Sequence, residues 1–415
     1  MQSTERIGMT APSRNTAIVL SIIIFAVYCV YVYSGAGQAL YEWSKSFAPY
    51  SIRQYLGMSK RYLLQYGHIV FLFLLLVLSR SIFISQDSLR IYGPALRWIN
   101  KYSIAIFLFH FPILFFIVAV TPYDRTNPFH QIGLLVATIS LACLLGRICF
   151  YFKPFFDRLQ KQVMTALDRR YPRPEGLKTS TVPLSITKSH SELLTLAKLI
   201  ATMCVVLGHY SFDTFTSFKI PGFNGSAPRF AVPMFFMISG YFLMMSIDRS
   251  RSGYMGVTAK RAFSLYYVVI PMLFVTLLLD NIGYRANAVV YEFTDYYILE
   301  HPRRPYVPSE IVVIFLSSIT YLNESWIFNL LNLYPEMGGM RAFSNDPFWF
   351  MCYLIPFSAI LAVYRLTNQP QTFVLLVLLC LIIGPPVLML APLFFSGSLA
   401  YSIHKKWSKT DEIGS

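Results

Sequence analysis

The chain has 415 residues, of which 55% are apolar, 16% aromatic and only 13% charged, with a mean hydropathy of +0.51. That balance excludes an ordinary soluble domain and predicts an all-α, polytopic transmembrane helical bundle. The formal charge of +15 does not point to nucleic acid, because the Lys and Arg residues fall between apolar runs and form no single basic, aromatic-interleaved face.

Apolar runs near the length of about 20 residues that crosses a bilayer as a helix are predicted at 15–34, 66–85, 103–121, 131–151, 193–210, 228–247, 263–282, 309–323, 347–364 and 371–390. A further stretch at 391–403 either completes the last span or forms another. The first run follows Arg14 and precedes Ser34-Gly35-Ala36-Gly37, a faint likeness to a secretory signal, but its length favours an uncleaved helix. The densest basic segment, 147–190, includes Arg147, Lys153, Arg158, Lys161, Arg169, Arg170, Arg173, Lys178 and Lys188. The positive-inside rule puts it in the cytoplasm. The mixed-charge loop 280–307 then lies outside, and ten spans return both termini to the cytoplasm. An eleventh full span would carry Lys405, Lys406 and Lys409 outside, against the same rule.

Periodicity gives way at 152–190 to charge, then to Tyr171-Pro172-Arg173-Pro174-Glu175-Gly176 and a Ser/Thr-rich stretch. This reads as a cytoplasmic linker dividing a four-span region, 1–151, from a six-span region, 191–415. The two regions share no sequence repeat. Cys29, Cys143, Cys149, Cys204, Cys352 and Cys380 lie in or beside apolar runs without CxxC spacing, so neither a disulfide framework nor a metal site is implied.

In the first region, His110 stands in Phe109-His110-Phe111-Pro112. An intramembrane imidazole before a proline either satisfies a freed carbonyl or belongs to a functional site. In the second, Lys198 and His209 lie on one stripe of one helix. Eleven steps of about 100° return to within about 20° of the same face and climb about 16 Å. A cation at a membrane boundary is thus aligned with a titratable group near mid-bilayer. An ionisable side chain in a span costs about 2.5–3.5 kcal/mol on insertion scales, so such groups turn to a cavity or partner. His209 is therefore a site candidate; the alternative is a snorkelling Lys198 and a His209 bonded to a neighbouring helix.

Next comes Arg229-Phe-Ala-Val-Pro-Met-Phe-Phe-Met-Ile-Ser239-Gly240-Tyr241, whose small Ser-Gly pair permits close approach by a helix or ligand. Lys260-Arg261 opens the following span; the pair suits the phosphates of a nucleotide-containing donor or simple positive-inside anchoring. Asp346-Pro347-Phe348-Trp349-Phe350 opens a later span, where Trp349 also fits an interfacial aromatic.

Together these motifs resemble the membrane-bound acyltransferase 3 family. Lys198-x10-His209 matches its Arg/Lys-x10-His first helix. Val232 to Tyr241 is similar to its second helix, Lys260-Arg261 to the basic start of its third, Phe348-Trp349-Phe350 to its Trp-Phe motif, and Pro392-Leu393-Phe394-Phe395-Ser396-Gly397 to its late Phe-Phe-x-Gly segment. Tyr102 to Pro112 resembles the Tyr-Ser-x-x-x-Tyr-Leu-x-His-x-Pro helix that ordinarily lies near the family's C-terminus, here placed first. The chain therefore looks circularly permuted, or like the tail of one copy fused to the head of another. Phe107 replaces the family's usual tyrosine, and 145–152 lacks the acidic residue often found in its final helix.

The resemblance implies an integral membrane O-acyltransferase of a bacterial inner membrane, moving acetyl from acetyl-CoA, or another acyl-CoA, to a hydroxyl of a cell-surface glycan or lipid-linked precursor. No bound cofactor is expected; the acyl-CoA is a donor substrate. Lys198, Lys260 and Arg261 would meet its phosphates, His209 would act as general base or carry the acyl group, and Arg229 and Ser239 would position carbonyl or acceptor. His110 and Trp349 complete the expected substrate-binding set. The competing class is a glycan or lipid transporter with His209, Arg229 and His110 lining a passage. A polysaccharide polymerase is disfavoured, because no large external loop carries paired basic residues beyond Arg303-Arg304. Membrane lipids are the expected surroundings, and a homo-oligomer is compatible with the sequence.

Overall fold

A computed structural model of the chain describes residues 11–47, 59, 61–83, 93–173, 187–218, 229–292, 306–327 and 341–414. The helices are α1 (Arg14–Tyr33), α2 (Ala36–Phe47), α3 (Tyr62–Ile82), α4 (Gly93–Val120), α5 (Pro128–Arg170), α6 (Lys188–Tyr210), α7 (Ala231–Arg249), α8 (Tyr254–Ala286), α9 (Ala288–Glu292), α10 (Pro308–Thr320), α11 (Trp349–Leu366), α12 (Gln369–Leu388) and α13 (Ala391–Gly414). Apart from one isolated bridge, Ala342–Asn345, the described residues contain no β-structure.

Among the described residues, nine helices are long and apolar enough to cross a membrane, so this is an integral membrane protein. Three of the predicted boundaries change, the first being that the 131–151 run continues as α5 to Arg170, so that 152–170 of the expected linker is helical. The 309–323 run yields only the 13 residues of α10, about 20 Å at 1.5 Å per residue, which falls short of a hydrocarbon core about 30 Å thick. The helix ends where Tyr321 takes the left-handed conformation, φ 58°. The 391–403 stretch, by contrast, opens a separate helix, α13, which runs parallel to α7 and packs along it.

That packing explains two glycines. A Cβ on Gly240 of α7 would sit 1.9 Å from the Phe394 carbonyl oxygen, and one on Gly397 of α13 would sit 1.7 Å from that of Met237. Each glycine admits the other helix's backbone, so the close approach anticipated at Ser239-Gly240 is made by the segment Phe394-Phe395-Ser396-Gly397. Below this seam, Ser398 Oγ donates to Gly240 O at 3.2 Å, Tyr241 OH meets His404 Nδ1 at 2.9 Å, and Tyr401 OH donates to Asp248 Oδ2 at 3.1 Å.

α4 and α11 form the axis of the bundle, most of their residues being buried, whereas α1 lies at the periphery with most of its residues exposed or half-buried. α4 packs against α5, α6 and α8, and α11 against α7, α8 and α12.

Prolines interrupt several of these helices, and each deletes an N–H that would have satisfied the carbonyl four residues back. In a bilayer no water is at hand to replace it. Pro385 and Pro386 in α12 free the carbonyls of Leu381 and Ile382. The indole Nε1 of Trp326 donates to the first at 2.6 Å, and Ser325 Oγ donates to the second. Gly384, at φ 75°, stands against the Trp326 ring, leaving no room for a side chain. Pro112 in α4 likewise frees Leu108 O, which accepts from Asn345 Nδ2 at 2.5 Å.

Replacing Gly240 by Ala forces α7 and α13 apart. Overpacking of this kind costs about 1–3 kcal/mol, so the Gly240→Ala protein is expected to melt below wild type in detergent. Coincident melting curves would contradict the backbone contact.

Candidate active site

Six helices, α4 to α8 and α11, converge on a cavity of about 290 Å³. Helical geometry gives a simple account of its lining, because residues four apart share a face. Ser103 and Phe107 of α4, Lys198 and Thr202 of α6, Phe235 and Ser239 of α7, Arg261 and Leu265 of α8, and Phe350 and Leu354 of α11 are all such pairs.

Three cations line this space, Lys101, Lys198 and Arg261, and none of its described lining residues is acidic. Lys101 Nζ lies 4.4 Å from the centre of the Phe150 ring, a cation–π contact. The buried Nε of Arg261 has no hydrogen-bond partner among the described residues. Concentrated positive charge without a carboxylate is the electrostatic signature of an anion site. Phe150 lies 22 positions into α5, about 33 Å from its start, close to one hydrocarbon thickness of about 30 Å. The cavity therefore lies toward the end of the bundle from which α5 continues with Lys153, Arg158 and Lys161.

Deeper along α6, about 16 Å from Lys198 by helical rise, lies His209. Its Nδ1 is 2.7 Å from Nε2 of His110 on α4. The ring planes are only 9° apart with centroids 5.0 Å apart, the separation of two coplanar rings joined edge to edge. His110 Nδ1 faces two carbonyl oxygens, Ile106 O at 3.0 Å and Phe107 O at 2.9 Å. Only a protonated Nδ1 fits those acceptors, so neutral His110 carries its lone pair on Nε2 and His209 Nδ1–H donates to it. The tautomer of His209 follows: its Nε2 bears a lone pair. These assignments come from the hydrogen-bond network.

The pair is enclosed by apolar groups. His110 is fully buried and His209 is 8% exposed, with Phe111 and Phe212 ring centroids 4.7 and 5.6 Å from His209. Between the pair and the cavity stands Phe107, which packs on Phe235 and Phe350 at 5.6 Å each and lies one turn from His110.

Of the residues singled out from sequence, Lys198, Ser239 and Arg261 meet at the cavity, and His110 and His209 meet below it. The freed carbonyl near His110 is taken by Asn345, not by the imidazole. Lys260 is exposed and does not line the cavity; its backbone carbonyl accepts from Gln160 Nε2 at 3.2 Å. Arg229 occupies an exposed turn before α7 and does not line the cavity. Half-buried Trp349 packs on Tyr353 and Phe350, with ring centroids at 5.2 and 6.2 Å, while its neighbour Phe350 lines the cavity. Lys101 and Thr202 were not anticipated. Thr202 was legible as the residue one turn beyond Lys198, and Lys101 as the cation beside Tyr102-Ser103.

The family model for the acyltransferase domain, acyltransferase 3, matches residues 192–411. No curated protein and no solved structure matches the chain.

The charge distribution predicts which cations bind phosphates. A hydrogen bond to a charged group contributes about 1.5–3 kcal/mol, so Lys198→Met and Arg261→Met should each weaken pyrophosphate binding by roughly 10- to 100-fold in calorimetry. Lys260→Met should leave it near wild type; equal losses at 260 and 261 would argue for diffuse surface charge.

Proposed function

The chain belongs to the acyltransferase 3 family and is a membrane acyltransferase, and we propose that it moves an acetyl group from acetyl-CoA to a hydroxyl of a cell-surface glycan or its lipid-linked precursor. The observation that carries the donor assignment is the cavity with Lys101, Lys198 and Arg261 in its wall and no carboxylate among its described lining residues. CoA presents clustered phosphates at one end and a thioester at the end of a long, mostly uncharged arm. In this reading the phosphates rest on the three cations and the arm passes the Phe107, Phe235 and Phe350 rings. The thioester then arrives beside His209.

There the acceptor hydroxyl attacks the thioester carbonyl while His209 Nε2 takes its proton. The tetrahedral intermediate collapses, the carbon–sulfur bond breaks, and His209 returns the proton to the departing thiolate. His110 supports both steps. By accepting from Nδ1 it holds the ring orientation and tautomer that leave Nε2 basic, the role an orienting group plays beside a catalytic imidazole.

This reading keeps 1–151 as a working part of the site, since α4 supplies Lys101, Phe107 and His110. It fits a permuted arrangement in which the tail-like helices close the bundle formed by 191–415, with the basic cavity mouth and both termini in the cytoplasm of a bacterial inner membrane.

General-base assistance contributes about 10²–10⁴-fold, so His209→Ala should lower the rate of CoA release with acceptor present by that range while remaining folded. His110→Ala is expected to fall with it, and the double variant to be little worse than either, because the two imidazoles act as a unit. Near-normal turnover in folded His209→Ala would remove the assignment.

A further inference from the structure

We propose that Asn345 is a positioning residue for the imidazole pair: its amide holds the carbonyl that Pro112 frees, and so fixes the turn of α4 from which His110 reaches His209. In an unbroken helix the N–H of residue 112 would bond Leu108 O. Proline removes that bond and presses its ring against the same carbonyl, just where α4 carries His110. Nothing in α4 itself closes the gap. Asn345 Nδ2, 237 positions away in sequence, donates to Leu108 O at 2.5 Å.

The donor is itself held rigidly. Asn345 is 1% exposed, and its backbone N–H donates to Ala342 O at 3.0 Å. Ser344 N–H donates to Asp280 Oδ2 of α8 at 2.9 Å, and Tyr306 OH reaches the same oxygen at 3.3 Å. Phe343 stands at φ 58°, a region non-glycine residues keep only where the surroundings over-determine it. Here Tyr306 and Phe315 clamp its ring at 5.0 and 5.7 Å. Asp346-Pro347-Phe348 then forms a short 3₁₀ turn that leads into α11. The loop is thus pinned from α8 and α11, and its one amide is aimed at α4. Asn345 Oδ1 has no partner among the described residues, so this donation is the contact the side chain is placed to make.

The proposal relies on the acyl-transfer reading only for its kinetic arm. The test uses full-length protein in lipid, with Asn345→Leu and Pro112→Ala made singly and together. Alanine at 112 restores the helix N–H to Leu108 O and should make Asn345 dispensable. Solid-state NMR on histidine-¹⁵N-labelled protein reads the N–H···N contact between His209 and His110, identified by its loss in His209→Gln. The expected result is loss of that signal in Asn345→Leu and its return in the double variant. Because a displacement of about 1 Å can lower turnover by about 10²-fold, kcat should fall in the single variant and recover in the double. KM for acyl-CoA, governed by the cationic cavity, should not move.

A signal that persists in Asn345→Leu, or a double variant no better than the single, overturns the proposal. If Asn345→Leu does not fold, a folded double variant that keeps the contact supports it, and an unfolded one overturns it. The predicted NMR pattern in a protein that transfers no acyl group supports the positioning role and counts against the acyl-transfer reading alone.

Discussion

The hydrogen bond between His209 Nδ1 and His110 Nε2, at 2.7 Å, joins the two parts of the chain inside an apolar, aromatic enclosure. Each imidazole would be costly alone in an apolar interior. Paired, and with His110 Nδ1 bonded to the carbonyls of its own helix, they fix each other's tautomer, with the lone pair of His209 on Nε2. The aromatic enclosure, the placement of α4 against α6, and the distance to the cationic cavity all make sense as support for that one arrangement.

A second constraint runs through the fold. In a bilayer, carbonyls released by prolines need other partners, and three of them here find side-chain donors. Trp326 and Ser325 answer Pro385 and Pro386, and Asn345 answers Pro112. In each case the donor comes from irregular backbone between helices, so the loops 321–326 and 341–348 act as internal struts. The Gly240 and Gly397 contact serves the same economy differently, bringing two backbones together where side chains would keep them apart.

The parts of this account legible in the sequence are those set by period. Lys198 and His209 share a stripe because eleven residues nearly complete three turns, and the helical class follows from long apolar runs. What period does not reveal is which of two adjacent residues turns inward. Lys260 and Arg261 stand about 100° apart on α8, and only Arg261 enters the cavity. Lys101 was indistinguishable from a boundary anchor until α5 and α6 were seen to bring Phe150 and Lys198 beside it. The proline at 112 announced that a carbonyl needed a donor, but nothing local named Asn345. For α10, apolar character ran past the point where Tyr321 ends the helix, so composition overstated its length.

The most direct measurement of the central claim follows isotope from acetyl-labelled acetyl-CoA into a glycan extract, using purified protein in lipid and its folded His209→Ala form. The account predicts covalently acetylated glycan and stoichiometric free CoA with wild type, and both formed about 10²–10⁴-fold more slowly with the variant. Acceptor recovered unchanged across several acyl donors, with no CoA released, would contradict it.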